Sequence, residues 1–91
     1  SLFMFVTGLG EEMIEARVYP NPVSEELKIQ LSQTLLQGKI QAHDVNGREV
    51  FNRVINEKSK FSVNVSHWKD GIYLFRIQTN YGTHHFKILK K

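Results

Sequence analysis

Ile40-Gln41-Ala42-His43-Asp44-Val45-Asn46-Gly47-Arg48-Glu49-Val50-Phe51 carries the reading that decides the fold. Apolar residues flank Asn46-Gly47. Asn-Gly between two apolar runs is the strongest short signal for a β-hairpin, because a type I′ turn needs positive φ at both central residues. Ile40 and Ala42 open one strand, which reaches Val45, and Arg48–Ile55 is its return. Asp44 is placed to accept hydrogen bonds from the turn backbone, and Gly47 supplies positive φ.

The same pattern continues outward. Leu27, Ile29 and Leu31 alternate with Lys28 and Gln30, which predicts a half-buried strand, and Ser32–Gly38 reads as a connection. Further upstream, Pro20 and Pro22 disfavour the α region at Tyr19 and Asn21, so Pro20-Asn21-Pro22 is a stiff corner ending a strand at Arg17–Tyr19. Downstream, Phe61, Val63 and Val65 alternate with Ser62 and Asn64. Lys69-Asp70-Gly71 is a turn, Ile72–Thr79 is a strand rich in aromatic and β-branched residues, Asn80-Tyr81-Gly82 is a second hairpin loop, and Thr83–Lys90 is the last strand. Seven short strands with turns about every 8–12 residues predict an all-β sandwich or barrel. Tyr73, Phe75 and Ile77 alternate and are expected to face the core. Arg48–Ile55 and Ile72–Thr79 carry apolar residues on both faces, so they are either central or have one face against another domain.

Ninety-one residues suit one domain with a thin stability margin. Residues 17–91 are read as that domain. Residues 1–16, apolar and then acidic at Glu11, Glu12 and Glu15, are read as a linker or the tail of an upstream domain, with room for one extra strand. Leu2–Val6 could add to a neighbour's sheet edge and form a weak dimer. It is too short to cross a membrane or to be a whole signal peptide. The chain opens on Ser1, which is expected of a piece of a longer precursor or a processed product. No cysteine is present, which excludes disulfides and thiolate zinc sites. The net charge is +3 and the pI near 9.3, with basic and acidic residues interspersed. Only Lys87, Lys90 and Lys91 are dense, so the basic footprint of a nucleic-acid binder is missing.

Four segments carry a family resemblance. Val18-Tyr19-Pro20-Asn21-Pro22 before Leu27-Lys28-Ile29, Asp44-Val45-Asn46-Gly47-Arg48-Glu49-Val50, Gly71-Ile72-Tyr73-Leu74-Phe75-Arg76-Ile77 and Lys87-Ile88-Leu89-Lys90-Lys91 resemble, in order and spacing, the landmarks of C-terminal sorting domains of the Bacteroidetes type IX secretion system. The resemblance implies a seven-stranded antiparallel Ig-like β-sandwich at the end of a cargo protein. It also implies partners: an outer-membrane translocon, and a cell-surface sortase that cuts the domain off. A secreted or cell-surface destination follows. The terminal Lys87, Ile88, Leu89, Lys90 and Lys91 are then the expected recognition segment, offered on an exposed last strand that a receptor could pair with. Tyr19, Pro20, Asn21, Pro22, Asp44, Gly47, Arg48, Gly71 and Tyr73 are expected to be structural. Trp68 departs from the small or aliphatic residue of many relatives.

No catalytic, cofactor or metal residue is assigned. His84 and His85 are strand neighbours on opposite faces and cannot share a metal, and His43 and His67 read as surface residues. Ser66, His67 and Asp70 have the residue types of a triad without its stacked geometry. The competing readings are a carbohydrate-binding module using Trp68, Tyr73 and Tyr81, and a structural Ig-like spacer.

Overall fold

The structure is a computed structural model that describes residues 2–7, 12–79 and 82–91, with side chains for residues 15–34, 37–79 and 82–91. The Asn80-Tyr81 part of the expected second hairpin loop and the side chains of residues 2–6 lie outside these. Among the described residues six antiparallel strands form one curled sheet: β1 (Leu2–Thr7), β2 (Glu12–Tyr19), β3 (Glu26–His43), β4 (Glu49–Asn64), β5 (Gly71–Thr79) and β6 (Gly82–Lys90). The order is β1-β2-β3-β5-β6, and β4 lies along the other edge of β3.

The strand count differs from the expected seven because two expected breaks are bridged. Ser32–Gly38, read as a connection, is part of β3, and the strands expected at Arg48–Ile55 and Phe61–Val65 are joined in β4. In their place the β3–β4 hairpin bends. Gln30 pairs with Lys60 but Leu35 pairs with Lys58, so residues 31–34 of β3 stand opposite Ser59 alone. Glu57 takes φ +50 beside this bulge. A bulge raises local twist and lets a long strand turn a corner. Arg53 braces the bend: its Nη1 donates to the Ser62 carbonyl at 2.8 Å, and its guanidinium lies over the Phe51 ring, 4.9 Å from the centroid.

The bulge also resets which β3 residues face inward. Before it Leu27, Ile29 and Leu31 are buried; after it Ile40 and Ala42 are. Below the bend, β3 pairs with β2 through 28–31; above it, with β5 through 39–43. Each half-sheet therefore turns an apolar face to one shared core. Ala16, Val18, Leu27, Ile29, Leu31 and Val63 come from one half, and Ile40, Ile55, Tyr73, Phe75, Ile77, Phe86 and Ile88 from the other. Burying one such large side chain contributes about 1.5–3 kcal/mol. Trp68 covers this core from its edge. It stacks on Phe75 (centroids 5.8 Å, 25°) and tilts against Tyr73 (4.8 Å). The expected inward set Tyr73, Phe75 and Ile77 is buried.

The Asn-Gly hairpin forms, but not with a type I′ turn. Gly47 has φ +81, while Glu57 is the only non-glycine with positive φ among the described residues. The Gly47 N–H donates to the Asp44 carbonyl and the Asp44 N–H to the Arg48 carbonyl, both at 3.0 Å. These bonds define a three-residue loop, Val45-Asn46-Gly47, in which one left-handed glycine is enough.

Candidate recognition surface

β6 is the last strand in the sheet order, and its outer edge is expected to be open. It is closed along Lys87–Lys91 instead. The Pro20-Asn21-Pro22 corner, whose two X-Pro bonds are cis, passes along that edge. Asn21 Nδ2 donates to the Lys87 carbonyl (3.4 Å), and the Leu89 N–H donates to Asn21 Oδ1 (3.0 Å). The Val23 N–H donates to the Leu89 carbonyl and the Lys91 N–H to the Val23 carbonyl, both at 2.9 Å, as a short parallel bridge. The expectation of an edge free for receptor pairing is thus corrected for this segment: Asn21 and Val23 already use its outward backbone groups. An edge covered in this way cannot template a foreign strand.

Strand alternation then sorts the terminal residues. Phe86 and Ile88 enter the core. Lys90 follows them inward and is only 7% exposed, with Nζ 3.7 Å from Asp70 Oδ1. Lys87 and Lys91 are exposed and Leu89 is half-buried. Of the three lysines expected to act together, Lys90 is tied down and the other two face solvent.

At the same end of the sheet two motif loops meet. Asp44 organises the first. Its Oδ1 accepts from the N–H groups of Asn46 and Arg48, each at 2.9 Å, and Arg48 Nε lies 3.3 Å from Oδ2. The Arg48 backbone N–H is the main cause that holds the Asp44 carboxyl below its ordinary range, with smaller help from the Asn46 N–H and the guanidinium. Gly71, at φ +146, starts β5 beside it, and the Tyr73 hydroxyl donates to the Lys69 carbonyl at 2.6 Å. Between the loops lies a half-open groove of about 490 Å³, whose lining includes Val45, Arg48, Trp68, Asp70 and Ile72. A second groove of about 380 Å³ lies across Val45, between His43, Leu74, Arg76 and His85.

The side chains around these grooves are structural in their bonding. Gln41 donates to Glu49 Oε1 at 2.8 Å and accepts from Arg76, and this amide is the main cause that lowers the Glu49 carboxyl. Burial, with the neighbouring His85, lowers His84. The Ser66 hydroxyl donates to Asn64 Oδ1 at 2.6 Å rather than to His67, so Ser66, His67 and Asp70 form no relay. Among the described residues no group of acidic or histidine side chains is arranged to hold a metal ion. No helix among them is long and apolar enough to cross a membrane. A carbohydrate platform is not favoured: Tyr73 is internal, Trp68 rests on core rings, and Tyr81 lies outside the described residues.

Sequence reasoning missed the contact that matters most here, the corner on the terminal strand. Asn21 between two prolines was visible, but nothing local indicates a partner at Leu89. No curated protein matches the chain at a significant level. A family model for the secretion system C-terminal sorting domain matches residues 17–91, which begins within β2 and takes in the corner, both motif loops and the terminal strand. The chain belongs to that family, and its role is that of the C-terminal sorting signal of type IX secretion, which marks proteins for export to the cell surface or beyond.

Proposed function

We propose that the translocon, and then a cell-surface sortase, recognise this domain as a folded body through the solvent-facing part of its terminal strand: Lys87, Leu89 and Lys91. The domain is cut away after export and performs no catalysis itself. Residues 1–16 serve as the joint to the cargo. The two halves of the curled sheet act as the layers of an Ig-like sandwich. Counting β3 and β4 as two segments each, either side of the bulge, gives seven strands over the matched residues. The observation that carries the reading is the terminal strand held in place by Asn21 and Val23, with Lys87 and Lys91 left in solvent.

The test fuses the 91-residue chain behind a fluorescent reporter in a type IX-competent host. Surface export is expected, and removal of residues 88–91 should stop it. That removal also deletes core contacts of Ile88 and Lys90. The deciding variant is therefore Lys87→Glu with Lys91→Glu, which changes exposed charge alone. Export of this pair at the parental level would remove the lysines from the role. A weak dimer through strand addition at residues 2–6 is a separate proposal, and a monomer by light scattering with and without those residues would end it.

A further inference from the structure

We infer that the outward face of the β5–β6 pair, with the tip of the 44–48 loop, is a docking surface for a protein partner that is apolar at its centre and acidic at its rim. This deepens the proposed recognition and rests on it. Cross-strand partners share a face of a sheet. Ile72 pairs with Leu89 and Leu74 with Lys87, so the solvent-facing residues of the terminal strand are continuous with those of β5. Val45 stands beside them, lining both grooves with Ile72 on one side and Leu74 on the other. Val45 is 78% exposed, Ile72 51% and Leu74 41%, three of the five large exposed apolar residues of the described structure. Apolar side chains gathered on one face and rimmed by charge mark interaction sites more than scattered ones do.

The charge around this face is net positive. Asp44 is offset by Arg48 and Asp70 by Lys90, which leaves Glu49, bonded to the neutral amides of Gln41 and Asn52, against the cations Arg76 and Lys87. Lys87 and His85 are exposed at its edge. A complementary partner therefore brings carboxylates to the rim and apolar side chains to the centre.

The experiment uses the same reporter fusion of the whole chain. Ile72→Asp with Leu74→Asp is expected to cut surface export about tenfold, as loss of a central contact does, and Val54→Asp, an exposed valine on β4, is the control. A loss smaller than about threefold overturns the proposal. If the purified aspartate pair is unfolded by circular dichroism, the threonine pair at the same positions, which keeps strand propensity, decides by the same threshold. Ile72→Lys with Leu74→Lys should export better than the aspartate pair; equal or poorer export overturns the acidic partner. A parent dimer that the aspartate pair converts to monomer in light scattering would assign the face to a second copy and overturn the proposal. Failure of the unaltered fusion, or parental export of the Lys87 and Lys91 variant, strikes the underlying reading instead.

Discussion

On the β5–β6 pair one face is closed and the other open. Tyr73, Phe75, Ile77, Phe86 and Ile88 are packed inside, while Ile72, Leu74, His85 and Lys87, their immediate neighbours in sequence, stand in solvent. On β5 the outward Ile72 and Leu74 are as apolar as the inward Tyr73, Phe75 and Ile77, so hydrophobicity alone does not separate them. Position does: period-two alternation sends every second residue to a core that already exists and its neighbour to water. The two sets should therefore fail in different ways, one by unfolding and the other by loss of contact.

The largest expected effect is at the closed face. Phe75→Ala removes a ring stacked between Trp68 and Phe86 and should cost about 3–5 kcal/mol in urea unfolding, enough to unfold a marginal domain. Leu74→Ala, one residue away, should stay within about 1 kcal/mol. Similar losses at both positions would erase the distinction. Next is the edge of the pair. Asn21→Ala deletes two hydrogen bonds to β6 and should cost about 1 kcal/mol, with faster hydrogen exchange at the Leu89 amide and little change at Phe86.

Gly47→Ala tests the loop beside the open face. At φ +81 a Cβ is strained although no atom lies within 4 Å of it, so the cost is conformational, about 1 kcal/mol, and thermal melts should show it. Lys90 sharpens the comparison, because it is a charge on the closed face. Lys90→Met keeps the apolar stem and removes the ionic head, and should be neutral within about 1 kcal/mol, whereas Asp70→Ala should be the more destabilising of the two. The smallest effect is that of acid. Asp44 and Glu49 are held below the ordinary carboxylate range in the folded state. The stability they add is present above about pH 4 and is lost as pH falls through their lowered values. Melting curves of Asp44→Asn should depend less on pH across that window than those of the parent.

Much of this was legible before the structure. The inward set of β5, the role of Asp44 and the positive φ of Gly47 follow from alternation and turn chemistry, which act over a few residues. What was not legible is non-local or cumulative. Ser32–Gly38 looks like a connection because its pattern breaks, yet hydrogen bonding to β4 carries the strand through a bulge. Asn46 looks suited to positive φ, yet one more loop residue removed the need for it. Lys90 is expected with Lys87 and Lys91 in one exposed recognition segment, but its place two residues after Ile88 brings it inward, where Asp70 meets it. The partner of Asn21 lies 68 positions away, beyond any window of local pattern.

That distance has a kinetic side. Contacts between the corner and the terminal strand span 66 to 68 positions of the chain, and such pairings form late because chain entropy opposes them until other structure is in place. The domain cannot finish folding before its final residues have been delivered, and a chain interrupted anywhere upstream never acquires the closed edge. Closure of Asn21 and Val23 on the strand at Leu89 is thus a mark of completion, made by the same residues that a receptor would next meet.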